Sequence, residues 1–419
     1  MKLAVIGGGS TYTPELADGI GRLLPDVTDF VLVDPDADRL AAVGPVSARI
    51  VAAHDHPARV SWTSDLDEGA EGADAILFQL RIGGQAARQR DETWPLDCGC
   101  VGQETTGAGG LAKALRTVPV VLDLAERASR RASPSAFIID FTNPVGIVTR
   151  ALLTAGHRAV GLCNVAIGFQ RDFASLLGVE AGRVSLGHVG LNHLTWERSV
   201  LLDGLDVLPE LLAKHADEIA PHTGMPADFI RHLGMVPSYY LRYFYDHDAV
   251  VESLRGAETR AEAVSRLEAE LLELYADPEL DAKPPQLAQR GGAWYSEAAV
   301  DLLVSLTGDR QDVQVVNTLN HGTLPFLPDD AVIEVPAVIG SAGADPVLID
   351  PDQGIEPLLR GLIAHVFAYE ELALDAALRG GRDRVYDALL AHPLVGQADT
   401  AQCLTDRLIA ENAPFLSWT

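Results

Sequence analysis

The chain has 419 residues, 47% hydrophobic and 22% charged, with a formal net charge of −27. That size and apolar content suit two domains, or one large α/β domain with an elaborated second half. The acidic balance argues against nucleic acid and membrane partners, which need basic patches or a long apolar span, and no such span is present.

The first half alternates short apolar runs with helical patterns, the signature of a parallel sheet with crossover helices. Lys2 to Ile6 reads as a strand, too short for a signal peptide, so the expected location is the cytoplasm. Pro14 to Leu24 reads as a helix with Thr13 as N-cap and Pro14 at its first position. Phe30 to Val33, Arg59 to Trp62, Ala75 to Leu80, Ala136 to Phe141 and Ala159 to Leu162 are further strands. Asp36 to Ala53 and Gly110 to Arg131 are helices, the second a candidate for a kink at Pro119. Between them, Arg81 to Gly110 reads as a long polar connection of the kind that carries function. Val184 to Leu202 looks like one or two strands. Helical patterns follow over Ala227 to Tyr245, Glu258 to Tyr275 and Trp294 to Leu306, with short strands at Val313 to Val316 and Val332 to Val335. Amphipathic helices run from Gly354 onward. The expected fold is α/β: a Rossmann-like parallel sheet over residues 1–170, then an α+β, mostly helical, catalytic domain over residues 171–419.

Gly7-Gly8-Gly9-Ser10 directly follows the first strand and precedes a helix, where a glycine turn lets backbone amides approach a pyrophosphate. Tyr12 occupies the third glycine position of the usual fingerprint. Asp34 ends the second strand 22 positions beyond Tyr12, where a carboxylate accepts from ribose hydroxyls and repels a 2′-phosphate, so NAD is favoured over NADP. Cys163 and His193 lie farther on, where the substrate of such a domain would sit. Together they suggest a divalent metal beside the nicotinamide; taken alone, Cys163 would read as a buried strand-end cysteine. The four cysteines, Cys98, Cys100, Cys163 and Cys403, do not make a disulfide scaffold in a chain this long, and Cys98 and Cys100 read as structural.

The stretch from Gly7 to Glu15 resembles the N-terminus of glycoside hydrolase family 4, the NAD- and metal-dependent glycosidases. Later family motifs follow in the same order: Gly102-Gln103-Glu104-Thr105-Thr106-Gly107, Phe141-Thr142-Asn143-Pro144, Gly161-Leu162-Cys163-Asn164, Gly190-Leu191-Asn192-His193 and Tyr240-Leu241-Arg242-Tyr243. Arg290-Gly291-Gly292 with Tyr295-Ser296 extends the likeness over most of the chain. Asn164 after the cysteine, continuing as Val165-Ala166-Ile167, resembles the 6-phospho-β-glucosidase branch.

This resemblance implies a glycosidase that departs from the two-carboxylate scheme. NAD⁺ would accept hydride from C3 of the sugar, the C2 proton would become acidic, the aglycone would leave C1 by elimination, and water addition and re-reduction would complete the cycle. Cys163 and His193 would hold the metal; softness favours zinc at such a pair, whereas the family implies Mn²⁺ completed by sugar and water oxygens. Tyr240 would be the base for the C2 proton, with Arg242 and the metal lowering its pKa. Gly7, Gly9, Ser10, Thr11, Asp34 and Asn143 would bind the cofactor. Arg88 and Arg260 would grip a 6-phosphate, and Asn143, Asn164 and Asn192 the sugar. Glu104 would orient its loop or a water, and His188 would be structural. The expected partner is a phosphorylated glycoside, and the expected assembly a homodimer or homotetramer. Three readings compete: an α-galactosidase, α-glucuronidase or 6-phospho-α-glucosidase of the same family; a 2-hydroxy-acid dehydrogenase; and a non-catalytic sensor of NAD or sugar phosphate.

Overall fold

The structure, a computed structural model, describes residues 1–290, 294–349 and 354–418. Six strands, β1 (Lys2–Ile6), β2 (Asp29–Val33), β3 (Arg59–Thr63), β4 (Ala75–Phe78), β5 (Phe137–Asp140) and β6 (Ala159–Gly161), pair in parallel. Their order, β3-β2-β1-β4-β5-β6, is that of a doubly wound dinucleotide fold. Both faces of this sheet are covered, as the continuous apolar runs predict. Leu3, Val5, Phe30, Leu32 and Leu77 enter one core, while the alternate residues Ala4, Ile6, Val31, Val33 and Phe78 enter the other.

The sheet does not end at β6. Strands β7 (Val184–Leu191), β8 (Leu194–Leu202), β9 (Leu205–Asp206), β10 (Val236–Pro237), β11 (Asp312–Leu319), β12 (Val332–Gly340) and β13 (Gly343–Pro346) extend it. β11 joins β6 antiparallel with Asn317 opposite Gly161, and β12, β7, β8 and β10 follow, with β13 beside β12 and β9 beside β8. The hairpin β7–β8 turns through Asn192 and His193 alone. It reaches the same end of the sheet as the turns after β1, β4, β5 and β6, so one crevice collects residues from both halves. No helix among the described residues is long and apolar enough to cross a membrane.

Several expectations are corrected. Thr13 is not an N-cap: it is the first residue of the helix Thr13–Leu23, and its hydroxyl donates to the Gly8 carbonyl at 2.8 Å. The polar connection after Arg81 contains the helix Gly84–Asp97, whose buried side chains include Asp91 and Glu92. A helix that buries carboxylates shows no apolar period, which hid it. The expected helix from Ala227 to Tyr245 stops at Leu233, where Gly234 takes a left-handed φ of 71°, and Pro237 then lies in β10. Tyr240 therefore sits on a short 3₁₀ turn, Tyr239–Leu241. The helix Gly107–Arg131 runs through Pro119 without ending. Cys98 is disulfide-bonded to Cys403, 305 residues away, with their Cα atoms 6.1 Å apart; Cys100 and Cys163 are buried free thiols.

Candidate active site

The glycine turn after β1 is shaped by close backbone contact. A Cβ on Gly7, Gly8 or Gly9 would lie 2.7 Å from the Gln79 carbonyl oxygen, 2.7 Å from Leu32 Cβ or 2.9 Å from Asp34 Cγ. The amides of Gly7 and Gly8 both donate to the Val33 carbonyl, and that of Gly9 donates to Asp34 Oδ2 at 3.1 Å. Asp34 is thus held at the end of β2, its Oδ1 accepting from the Asp36 amide at 3.0 Å. Two polar atoms nearby are buried without a partner among the described residues: Thr11 Oγ1 and Asn143 Oδ1. Buried, unsatisfied acceptors beside a turn that only glycine fits match a bound dinucleotide.

Cys163 follows β6 and is buried. Burial first, and Glu334 second, push its thiol up. The Asn192 side chain and the Val165 and Asn164 amides, at the start of the helix Val165–Leu177, hydrogen-bond the sulfur and pull the other way. His193 occupies the hairpin turn with φ 64°, a conformation uncommon for a bulky residue and found at functional sites. The turn is tight enough that a Cβ on Gly190 would meet the Leu194 carbonyl oxygen at 1.9 Å.

The Gln103-Glu104-Thr105 segment orients His193. Gln103 Oε1 accepts from the Thr105 amide, from the Thr105 hydroxyl at 2.8 Å and from the Thr106 amide at 2.9 Å. The Thr105 hydroxyl proton is therefore engaged, and its oxygen accepts from His193 Nδ1 at 3.0 Å. That network assigns the tautomer with the lone pair on Nε2, the atom a metal needs. Burial also lowers the His193 pKa to about 4, so the ring is neutral near pH 7. A thiol and a neutral imidazole fit a divalent metal that takes its other ligands from substrate and water. No cluster of three or more His, Cys, Asp or Glu exists among the described residues.

The crevice is a cavity of about 300 Å³. Its lining brings together seven of the expected site residues: Ser10, Arg88, Asn143, Asn164, His193, Tyr240 and Arg260. The Tyr240 ring stacks on the His193 ring at 3.7 Å and 7°. Burial chiefly, then Cys163, Tyr243 and Glu104, raise its pKa well above 10, and Arg88 opposes them. The expected influence of Arg242 on Tyr240 is not borne out: its guanidinium packs on Tyr239 and Tyr243 at 4.2 and 5.2 Å. Gly7, Gly9, Thr11, Asp34 and Cys163 are not among the residues that line the cavity. Asn192 also lies off the main cavity: its Nδ2 donates to Glu334 Oε2 at 2.8 Å. Gly291 and Gly292 lie outside the described residues.

One wall of the cavity is cationic. Buried Glu104 pairs with Arg81, with Lys113 Nζ at 2.7 Å and with Arg88 Nε at 3.2 Å. Burial raises the Glu104 pKa, but Arg81, Lys113 and Arg88 outweigh it and hold the carboxyl well below its ordinary range. Burial drops Lys113 to about 7 against the pull of Glu104. Arg88 also bonds Glu92 at 2.7 Å, and Arg260, exposed at the rim, donates to the Gln289 carbonyl at 2.8 Å. Lys113 was not expected as a site residue. Lys113 lies inside a long helix with no local cue, whereas Glu104, inside a motif, was the available signal. His188 is structural as expected: it sits buried between Glu197 (2.6 Å) and Glu334 (3.2 Å), and although burial lowers its pKa the two carboxylates raise it to about 10.

Comparison with known proteins agrees with this geometry. A model of the family 4 glycosyl hydrolases matches residues 2–179, and one of the family 4 glycosyl hydrolase C-terminal domain matches residues 188–395. The chain is 37% identical to a probable 6-phospho-β-glucosidase of Bacillus subtilis (strain 168), covering 99% of this chain and 97% of that protein. It is 34% identical to a 6-phospho-β-glucosidase of Escherichia coli (strain K12), covering 99% and 96%. The 6-phospho-β-glucosidase of Thermotoga maritima, solved with manganese, NAD⁺ and glucose-6-phosphate, superposes with a TM-score of 0.92 at 31% identity and 99% coverage of both chains. A malate dehydrogenase of Salinibacter ruber, at 17% identity and TM-score 0.54, covers 91% of this chain and 99% of its own and shares the fold alone.

Proposed function

The chain belongs to family 4 of the glycosyl hydrolases, and from that premise we propose that it hydrolyses 6-phospho-β-glucosides with NAD⁺ and Mn²⁺. Full-length similarity to 6-phospho-β-glucosidases carries the substrate reading. The guanidinium groups of Arg88 and Arg260 in the same cavity as His193 and Tyr240 support it. An amide rather than a carboxylate at Asn164, beside Cys163, agrees with the β-acting branch.

NAD⁺, when bound, supplies a hydride acceptor for the sugar C3, and Mn²⁺ supplies positive charge beside the sugar hydroxyls. Asp34, Gly7, Gly9, Ser10, Thr11 and Asn143 bind the dinucleotide. Cys163 and His193 hold the metal, with Thr105 fixing the imidazole and Asn192 the thiolate. With C3 at the ketone level, the C2 proton is acidic. Tyr240 takes it, and the C1–O bond breaks by elimination as a C1–C2 double bond forms and the leaving oxygen takes a proton; water then adds across that bond, hydroxyl to C1 and proton to C2, and the hydride returns to C3. The buried phenol is a poor base, and its stacking on His193 answers this: a divalent cation held by that neutral imidazole would favour the phenolate. Arg88 and Arg260 grip the 6-phosphate, and Glu104 gathers Arg88, Arg81 and Lys113. Residues 1–170 serve the cofactor and also bring Arg88, Asn143 and Asn164 to the substrate, and residues 171–419 add His193, Tyr240 and Arg260 to the same cavity.

The test is turnover of p-nitrophenyl 6-phospho-β-glucoside with NAD⁺, Mn²⁺ and reductant, beside the unphosphorylated glucoside and the α-anomer. Fast release from the first compound alone is expected. Equal hydrolysis of the unphosphorylated glucoside overturns the phosphate reading, and preference for the α-anomer overturns the branch.

A further inference from the structure

The reaction at C1 to C3 uses neither Tyr239 nor Trp294. The chain has 25 aromatic residues (5 Trp, 9 Tyr and 11 Phe), yet only three aromatic side chains among the described residues are exposed: Trp62, Tyr239 and Trp294. Trp62 lies away from the cavity, over Gly44. The other two each precede a tyrosine of the cavity wall, Tyr240 and Tyr295. The Tyr239 ring meets the Tyr240 ring edge-on, with centroids 6.3 Å apart.

Both rings are braced from behind. The Arg242 guanidinium lies over Tyr239 at 4.2 Å, and that of Arg171 lies over Trp294 at 4.1 Å. Arg171 is itself tied to Glu297, on the helix that Trp294 caps. The two rings are linked through neighbouring residues: Tyr239 abuts Gly224, the C-cap of the helix ending at Thr223, and His222 of that helix bonds Asp172, next to Arg171, at 2.7 Å. Trp294 holds φ 68°, an outlier for a bulky residue, and such outliers persist where the position has a use. A ring clamped on one face by an arginine is pre-organised to offer its other face at little further entropic cost.

We propose that Tyr239 and Trp294 form the aglycone subsite, selecting leaving groups with a flat ring and an apolar face, aryl or pyranose. This rests on the 6-phospho-β-glucosidase reading and adds what that reading leaves open, the chemistry of the group leaving C1. Methyl 6-phospho-β-glucoside has no ring to stack; p-nitrophenyl 6-phospho-β-glucoside and cellobiose 6′-phosphate offer an aryl and a pyranose ring.

The experiment compares kcat/KM for these three substrates in the holoenzyme and in Tyr239→Leu and Trp294→Leu, which keep bulk and lose the flat face. The wild type is expected to show a lower KM for both ring-bearing substrates than for the methyl glycoside. Each variant is expected to reduce the ring-to-methyl ratio of kcat/KM about tenfold, the size of one aromatic stacking contact, through KM, while Trp294→Phe retains it. A ratio unchanged in both variants, or equal wild-type KM values for all three substrates, overturns the subsite. Loss for one ring substrate only assigns the subsite to that ring class. Should a variant fail to fold, the wild-type KM comparison decides by itself. Failure of the wild type to turn over any of the three would instead refute the 6-phospho-β-glucosidase reading.

Discussion

At the scale of single residues, the site works by compensation. Tyr240 is a phenol whose pKa burial raises well above 10, and in the proposed mechanism its work as a base depends on a cation at its stacked neighbour His193. Tyr240→Phe is expected to cut kcat about 10²- to 10⁴-fold with little change in KM, and to abolish incorporation of solvent deuterium at C2 of the product; retained deuterium incorporation would point to another base. Arg88 has two carboxylate partners already, Glu92 and Glu104, so its role with phosphate must be separated from its role in the wall. Arg88→Lys keeps the charge and loses the fork. It is expected to raise KM for the phosphorylated substrate about tenfold or more, in line with the worth of a charge-assisted hydrogen bond, with kcat largely kept. A fall in kcat alone would make Arg88 a scaffold for Glu104. The glycine turn and Asp34 were legible in the sequence, because adjacent strand and helix set them. The Thr105 bond that selects the His193 tautomer was not, because it joins residues 88 positions apart.

At the scale of elements, the hairpin β7–β8 carries the imidazole of His193, the proposed metal ligand, and its geometry is set by two devices. Gly190 leaves room for the Leu194 carbonyl oxygen. Gly190→Ala is expected to destabilise the fold by about 1–3 kcal/mol through overpacking and to raise the Mn²⁺ concentration that half-activates the enzyme; an unchanged metal requirement would mean the turn absorbs the methyl elsewhere. The second device is His188, which staples β7 to Glu197 of β8 and Glu334 of β12. Its folded pKa of about 10 exceeds the unfolded value near 6.5. The stability it contributes is therefore complete below about pH 6.5 and is lost as pH rises through about 10. The gap in unfolding free energy between wild type and His188→Gln should narrow from pH 6 to pH 10, and a constant gap would contradict the charged staple. The helix Gly84–Asp97 escaped the sequence reading for the same reason that it matters: its buried face carries Asp91 and Glu92, charge networks in place of apolar side chains.

At the scale of the molecule, a chain of net charge −27 is read as binding a phosphorylated sugar and a dinucleotide. In that reading the chain does so by concentrating its cations: Arg81, Arg88, Lys113, Arg260 and Arg290 all line one cavity, against the single lining carboxylate of Glu104. The C-terminal helix Ala398–Asn412 is crosslinked back to the first half of the chain. Cys98 at the end of the helix Gly84–Asp97 is bonded to Cys403 in the helix Ala398–Asn412, and Arg407 reaches Asp97 at 2.6 Å beside it. Unfolded without reductant, the protein should titrate two thiols, Cys100 and Cys163, and not four. Cys403→Ser should cost about 2–4 kcal/mol of stability, the usual worth of a crosslink closing a long loop; four titratable thiols or unchanged stability would remove the crosslink from the account.

The sequence by itself determined the doubly wound half, the glycine turn after β1 and the family, because each is written in local order: apolar runs of strand length, glycines between strand and helix, and motifs in a set succession. Only the tertiary structure decided that β11 joins the two halves into one sheet, that Glu104 gathers three cations, that His188 bridges two carboxylates, that Cys98 meets Cys403, and that Tyr239 and Trp294 stand exposed beside the cavity. These depend on which groups share a desolvated space. The free energy of a buried charge, a thiol or an aromatic face is set by its neighbours in that space, and neighbours separated by tens to hundreds of residues leave no periodic trace in the chain.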